Sequence, residues 1–167
     1  SLKSDLGLIY WSMGELDLAE ENLTSAIQFY KAIKANQLLT YDLGNLGLVY
    51  FSRGDLQHAR ELTQQQMELA FHIGFMPEYY RGRTNLADIL YYFGEYQKNI
   101  DEHLSTDKYY VTHGSREGYE VGHLWVACCQ YKLGKKEAAV NSLLEILAFC
   151  SKYNSRVLEG LTHRCLC

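Results

Sequence analysis

The sequence predicts an all-α protein, an α-solenoid built of antiparallel helix hairpins. Among its 167 residues there is a single proline, a residue that breaks helix interiors, so long helices with short connections are expected. Glycines recur every 40 residues within similar segments. One hairpin cannot bury its own apolar face but stacked neighbours can, so hairpins in series predict a solenoid. The recurring glycines are Gly14, Gly54, Gly94 and Gly134.

The segments around these glycines align in one register without gaps. Seven residues before each glycine there is a small residue, which lets two helix backbones approach closely. Fifteen residues after it there is a large one, Phe29, Leu69, Tyr109 or Phe149, which fills the space between hairpins. The glycine itself suits a helix end, because it adopts a left-handed φ at little cost. The segments read LGLIYWSMGELDLAEENL from Leu6, LGLVYFSRGDLQHARELT from Leu46, LADILYYFGEYQKNIDEH from Leu86 and VACCQYKLGKKEAAVNSL from Val126.

Each unit is expected to contain a helix A, a turn at the glycine and a helix B. The A helices are predicted at 2–13, 40–53, 79–93 and 118–133, and the B helices at 16–34, 56–73, 95–113 and 136–153. Residues 1–154 are thus predicted to form four repeats. Their approximate bounds are 1–38, 39–78, 79–118 and 119–154.

The last residues, 155–167, are predicted to be either the start of a fifth repeat or a capping helix, which solenoids need for solubility. In the register of the repeat, Cys167 falls in the column of Gly7, midway through a helix A. From this register we expect the chain to be a segment of a longer protein.

The repeat resembles the tetratricopeptide repeat family over residues 1–153. Repeat one carries the family's pattern in Leu6-Gly7, Tyr10, Gly14, Ala19 and Ala26, and repeat two carries it in Leu46-Gly47, Tyr50, Gly54 and Ala59. Repeats three and four depart from it, since Asn99 replaces a packing alanine and Gln130 an aromatic residue. The family's early tryptophan is absent from every copy. The resemblance implies a right-handed superhelix. The 40-residue variety is similar to arrays in bacterial signalling and regulatory proteins and in adaptors that hold extended peptides.

The same resemblance implies a protein–protein interaction scaffold that binds a peptide or partner protein in a concave groove lined by the A helices. Two alternatives stay open: a structural or self-associating segment, and a sensor domain for a small ligand. Transferred by register, the predicted binding residues are Asn45, Asn85, Tyr41, Leu48, Phe51, Arg81, Asp88, Tyr91, Tyr92, Trp125, Tyr131 and Trp11.

Two features of this set have more than one interpretation. Asn45 and Asn85 share one column, where family members use asparagine to hydrogen-bond a ligand backbone; alternatively both lie on a solvated helix surface. Aromatic residues occupy another column in all four repeats, which suits an apolar ligand if the rings face the groove. The alternative is that they pack between adjacent A helices. This column contains Trp11, Phe51, Tyr91 and Tyr131.

Composition excludes several other classes of function. A formal net charge of −4 provides no field that attracts phosphates, so no nucleic-acid partner is expected. No apolar run reaches the ~18 residues of a membrane span, so no membrane partner is expected either. The five cysteines are expected to be reduced thiols, which favours a cytoplasmic protein. Motifs for phosphate loops, zinc proteases and serine hydrolases are absent, so we predict neither an enzyme nor any cofactor or metal.

Overall fold

The computed structural model describes the backbone of residues 1–113, 116–153, 155, 159–160 and 162–163, with side chains except those of 116–119 and 153. Within these residues the structure has eight α-helices, further helical residues at 159–160 and 162–163, and no strands. The all-α prediction is therefore confirmed. The helices are α1 (Leu2–Ser12), α2 (Leu16–Ala32), α3 (Asn36–Arg53), α4 (Leu56–His72), α5 (Met76–Tyr92), α6 (Tyr96–Thr112), α7 (Arg116–Lys132) and α8 (Lys136–Tyr153).

The described turns between helices share one geometry. Each contains a residue with positive φ, and the next residue's N–H bonds to a carbonyl five positions back, as from Glu15 to Tyr10 at 2.9 Å. This pattern ends a helix within a single residue. The positive-φ residue is glycine except at Lys34, whose φ is 55°. The left-handed positions are Gly14, Lys34, Gly54, Gly74, Gly94 and Gly134.

Three A helices begin earlier than predicted. The observed start of α3 is Asn36 rather than residue 40, that of α5 is Met76 rather than 79, and that of α7 is Arg116 rather than 118. For α3 and α5 the reason is that α2 and α4 end in the same short turn as the A helices, so no linker precedes the next helix. Pro77, the second residue of α5, lies in the first turn, where a missing N–H costs no intrahelical bond.

The first compact unit, Ser1–Ile89, contains α1 to α4 and most of α5. In it α1 packs on α2, α2 on α3, and α3 on α4. At Gly7 the small residue allows the predicted close approach of two helices, since an added Cβ would lie 2.6 Å from Leu23 Cγ. The core cluster consists of Ala19, Leu23, Ala26, Ile27, Tyr30, Leu39, Leu43, Leu46 and Val49.

The second compact unit, Leu90–Cys167, contains α6, α7 and α8. Here α6 packs on α7 through Ile100, Val126 and Cys129, and α7 packs on α8 through a second cluster that includes Leu143. Asn99, which replaces the family's packing alanine, is fully buried and accepts a hydrogen bond from Cys129 Sγ at 3.0 Å. The departure from the family pattern is thus compensated by a polar partner in the next helix.

Most of the predicted C-terminal segment 155–167 lies outside the described residues, and so do Cys165 and Cys167. Cys128, Cys129 and Cys150 are thiols. In the described part of the chain, no helix is both long enough and apolar enough to traverse a lipid bilayer.

Candidate functional site

Seven of the predicted binding residues lie together on α3 and α5 in the first unit. We call this surface the α3–α5 face. Its two helices are joined by Arg81 at one end and share a small cavity at the other. The face consists of Tyr41, Asn45, Leu48, Phe51, Arg81, Asn85 and Asp88.

Arg81 is held in place by a buried carboxylate. Its Nε donates to Glu78 Oε2 at 2.8 Å, and its Nη2 lies 2.7 Å from the same oxygen. Glu78 is 4% exposed and also accepts from Gln66 Nε2 at 2.9 Å. From this anchor, Arg81 reaches α3, where it donates to the Tyr41 carbonyl at 3.3 Å and to Asn45 Oδ1 at 3.5 Å. The guanidinium is therefore fixed across two repeats, with its charge already paired.

Glu78 and Gln66 were not among the predicted site residues, although a glycine points to them. A Cβ added at Gly44 would lie 2.6 Å from Gln66 Oε1 and 2.7 Å from Arg81 Nη2. In the other repeats this column contains Ser4, Thr84 and Leu124. The glycine thus makes room for the buried polar group and the arginine that depends on it.

Asn85 lies at the other end of the face, beside the cavity. Its Nδ2 is inaccessible to solvent and has no hydrogen-bond partner in the part of the chain that the structure describes. Leaving a buried donor unsatisfied costs about 1–3 kcal/mol. The cavity, of ≈ 10 Å³, is lined by Asn85 together with Leu48, Phe51 and Thr63, and has room for about one water-sized group. A hydrogen-bond acceptor of about this size, such as a water molecule or a carbonyl oxygen, would satisfy the donor.

Asp88 lines the same cavity, one turn after Asn85. Burial raises the pKa of its carboxyl to about 7, because the charged form is poorly solvated there. The carboxyl is therefore about half protonated near neutral pH, and when protonated it is able to donate a hydrogen bond. The same column contains Leu8 and Leu48 in the first two repeats, so the acid is particular to repeat three.

Asn45 differs from Asn85 although it shares its column. Its side chain bonds to Asp42 and receives the contact from Arg81. Asp42 is 2% exposed, and burial raises the pKa of its carboxyl even though Ser4 Oγ donates to it at 2.6 Å. Both asparagines are half-buried, so neither lies on an open, solvated surface. The amide of Asn45 already serves neighbouring groups, whereas the donor of Asn85 is directed at the cavity.

The aromatic column is packed at three of its four positions. In the first unit, Trp11 contacts the core and its Nε1 donates to Ser52 Oγ at 2.9 Å, while Phe51 lines the cavity. In the second unit, Tyr91 packs edge-on against Trp125, with ring centroids 5.1 Å apart. Tyr131, the fourth member, is 55% exposed.

Tyr92 is 57% exposed and contacts Tyr91 edge-on at 5.5 Å. Together with Tyr131 it leaves aromatic surface open in the second unit. Packing between helices is therefore the structural role of Trp11, Phe51 and Tyr91, and a role of any of these aromatic residues in binding stays a prediction. Within the described ranges, no three His, Cys, Asp or Glu side chains are grouped so as to hold a metal ion.

The sequence model of the tetratricopeptide repeat matches residues 3–36, which comprise nearly all of α1, the turn at Gly14 and all of α2. Residues 3–36 therefore form a tetratricopeptide repeat. The same hairpin recurs through the described helices. In a sequence comparison with curated proteins, no match is found.

Solved structures share this fold at low sequence identity. The apo form of RapI superposes with a TM-score of 0.84 at 8% identity, covering 92% of this chain and 56% of that one. Aspartyl phosphate phosphatase F from Bacillus subtilis gives 0.86 at 14%, covering 96% and 42%. The Rap conjugation gene regulator of plasmid pLS20, in complex with the Phr* peptide, gives 0.80 at 13%, covering 96% and 44%. This chain spans about half the length of these proteins.

Proposed function

We propose that this chain is a protein-interaction scaffold that binds a peptide or a partner protein along the face of its A helices, within a regulatory protein. Tetratricopeptide repeats are typically non-catalytic, and a similar structure holds a peptide. That the chain is not an enzyme and that it is cytoplasmic are parts of this proposal. The observation that supports the proposal most is the buried Nδ2 of Asn85, which lies beside the cavity of the α3–α5 face and has no hydrogen-bond partner among the described residues.

An extended peptide is the ligand that this face suits best. A backbone carbonyl of the peptide would accept a hydrogen bond from Asn85 Nδ2 and remove the cost of the unsatisfied donor. A neighbouring apolar side chain would contact Leu48 and Phe51, which line the cavity. At the far end of the face, Tyr41 is 41% exposed and lies beside the fixed guanidinium of Arg81. An apolar site with a few fixed polar groups is the usual composition of a binding cleft.

The test starts from peptides selected against the immobilised chain from a random peptide library, with affinity measured by fluorescence anisotropy. Asn85→Ala should raise Kd about tenfold, the equivalent of one hydrogen bond to an amide that is buried on binding. Gln65→Ala is the matched control, because this amide is exposed on helix α4. It should leave Kd unchanged.

The proposal makes weaker binding the expected result for Asn45→Ala and Tyr91→Ala as well. If a selected peptide binds all three substituted chains as tightly as it binds the unaltered chain, its binding site lies elsewhere. Failure to select any peptide that binds saturably would also contradict the proposal.

A further inference from the structure

The cavity beside Asn85 opens on the α3–α5 face. Among the residues that line the cavity, those that belong to the face are half-buried and the others are buried. A group that enters from the face therefore passes between partly exposed side chains and is enclosed once inside. The volume of ≈ 10 Å³ is enough for about one oxygen-sized group. The half-buried residues are Leu48, Phe51, Asn85 and Asp88.

Two polar side chains, one turn of α5 apart, line this cavity together. Asn85 Nδ2 is a buried donor without a hydrogen-bond partner among the described residues. Asp88 Oδ1 is likewise inaccessible to solvent, and burial raises the pKa of this carboxyl to about 7. Among the described residues of the first unit, the other side chains that line the cavity, on α3, α4 and α5, carry no charge and do not titrate.

The protonation state of Asp88 decides which group the cavity holds. A protonated carboxyl donates a hydrogen bond, whereas an ionised carboxylate only accepts. With the proton in place the cavity presents two donors, and a carbonyl oxygen, which has two lone pairs, accepts from both. A water molecule that accepted from both would still have two O–H groups, for which Leu48, Phe51 and Ile89 offer no acceptor. The protonated cavity therefore favours a carbonyl oxygen.

Ionisation of Asp88 reverses this preference. A carbonyl oxygen beside a carboxylate meets charge of the same sign and makes no hydrogen bond with it. A water molecule instead accepts from Asn85 and donates to Asp88. Loss of the proton therefore favours water over a carbonyl group in the same cavity.

We propose that the cavity binds one backbone carbonyl oxygen of the peptide between the Asn85 amide and the protonated Asp88 carboxyl, so that binding takes up a proton above neutral pH. This inference rests on the proposed function. Asn85 provides a donor at every pH, whereas Asp88 provides one only when protonated, and the affinity for the peptide therefore falls as the pH rises.

The probe is a peptide selected against the chain at pH 6, without histidine or cysteine and with both termini blocked, so that it does not itself titrate. At pH 8 about one tenth of the Asp88 carboxyls are protonated, so Kd by fluorescence anisotropy should be about tenfold higher at pH 8 than at pH 6. Calorimetry in two buffers of different ionisation enthalpy should find nearly one proton taken up per peptide at pH 8.

Asp88→Asn is the decisive variant, because its amide keeps a donor that does not titrate. It should bind as tightly at pH 8 as at pH 6, and at pH 8 more tightly than the unaltered chain. Asp88→Leu removes the donor, so its Kd should be raised at pH 6 and should no longer change with pH. Asp101→Asn, at an exposed aspartate of α6, is the matched control and should keep the pH dependence of the unaltered chain.

Two results would overturn this inference and leave the proposed function in place. One is a peptide that Asn85→Ala weakens but whose Kd is the same at pH 6 and pH 8. The other is a pH dependence that persists in Asp88→Asn, which assigns the proton to another group. A chain to which no peptide binds saturably contradicts the proposed function and this inference together. Circular dichroism verifies that each variant keeps its fold.

Discussion

Replacing Asp88 with leucine should stabilise the protein, and increasingly so as the pH rises. Burial raises the pKa of this carboxyl to about 7, whereas an aspartate in an unfolded chain titrates near ~3.9. Between these values the folded chain binds more protons than the unfolded chain. The free energy of unfolding therefore falls as the pH rises through this window, and the loss is complete above pH 7.

The size of the effect follows from the difference between the two pKa values. They differ by about three units, and each unit corresponds to about 1.4 kcal/mol, so the cost above neutral pH is at most about 4 kcal/mol. At pH 5, about one unit above the pKa of the unfolded chain, only about 1.4 kcal/mol of this cost has developed. The advantage of Asp88→Leu should thus grow by up to about 3 kcal/mol between pH 5 and pH 8. Leucine suits the site, because Leu48 occupies the same column and lines the same cavity.

Urea unfolding followed by circular dichroism, at several pH values from 5 to 8, measures this difference. Asp88→Asn is the matched control, since it removes the titration while keeping the size and polarity of the side chain. Both variants should lose the same pH dependence, although only leucine adds apolar contact. An advantage of Asp88→Leu that is constant across the pH range would refute the role of protonation.

Three further predictions follow from burial, close contact and backbone conformation. Burial lowers the pKa of His103 to about 4, so the fold should lose stability as the pH falls from ~6.5 to 4, and nuclear magnetic resonance should find this ring neutral at pH 5. Gly7→Ala should lower the free energy of unfolding by about 1–3 kcal/mol, because its Cβ would meet Leu23 at 2.6 Å. Gly47→Ala, whose nearest contact would be a threonine hydroxyl at 3.2 Å, should cost less in the same urea assay. Lys34→Gly should raise the melting temperature, since lysine at a φ of 55° bears a strain of about 1 kcal/mol.

The repeat, its helices and the turns from helix A to helix B could be predicted from the sequence, because a glycine marks each of those turns. The start of α3 could not. The turn before it has Lys34 at the left-handed position, and lysine is no signal for a helix end. Gly74 is such a signal, yet the start of α5 was still predicted three residues late, against four residues for α3.

The surroundings of the site could be predicted less well than its position. Register places Arg81 and Asn45 on neighbouring A helices, and the structure brings them within 3.5 Å. The register of the repeat does not predict that Glu78 and Gln66 hold the arginine in place. Those contacts depend on side-chain conformations and on α4, which is a B helix and not part of the helix A columns. A glycine that departs from its column, as Gly44 does, is the nearest signal in the sequence.

The two asparagines show why position in a repeat does not by itself define function. Asn45 and Asn85 occupy equivalent places on α3 and α5, yet Asp42 and Arg81 contact the first, while the Nδ2 of the second lies beside a cavity without a hydrogen-bond partner in the described part of the chain. The difference arises from neighbours outside their column, because α5 has Gly82 where α3 has Asp42. A repeat therefore provides many equivalent positions for contact. Among the described residues the Nδ2 of Asn85 has no hydrogen-bond partner and lies beside the cavity of the α3–α5 face, and for this reason we propose Asn85, rather than Asn45, as the asparagine that binds a ligand.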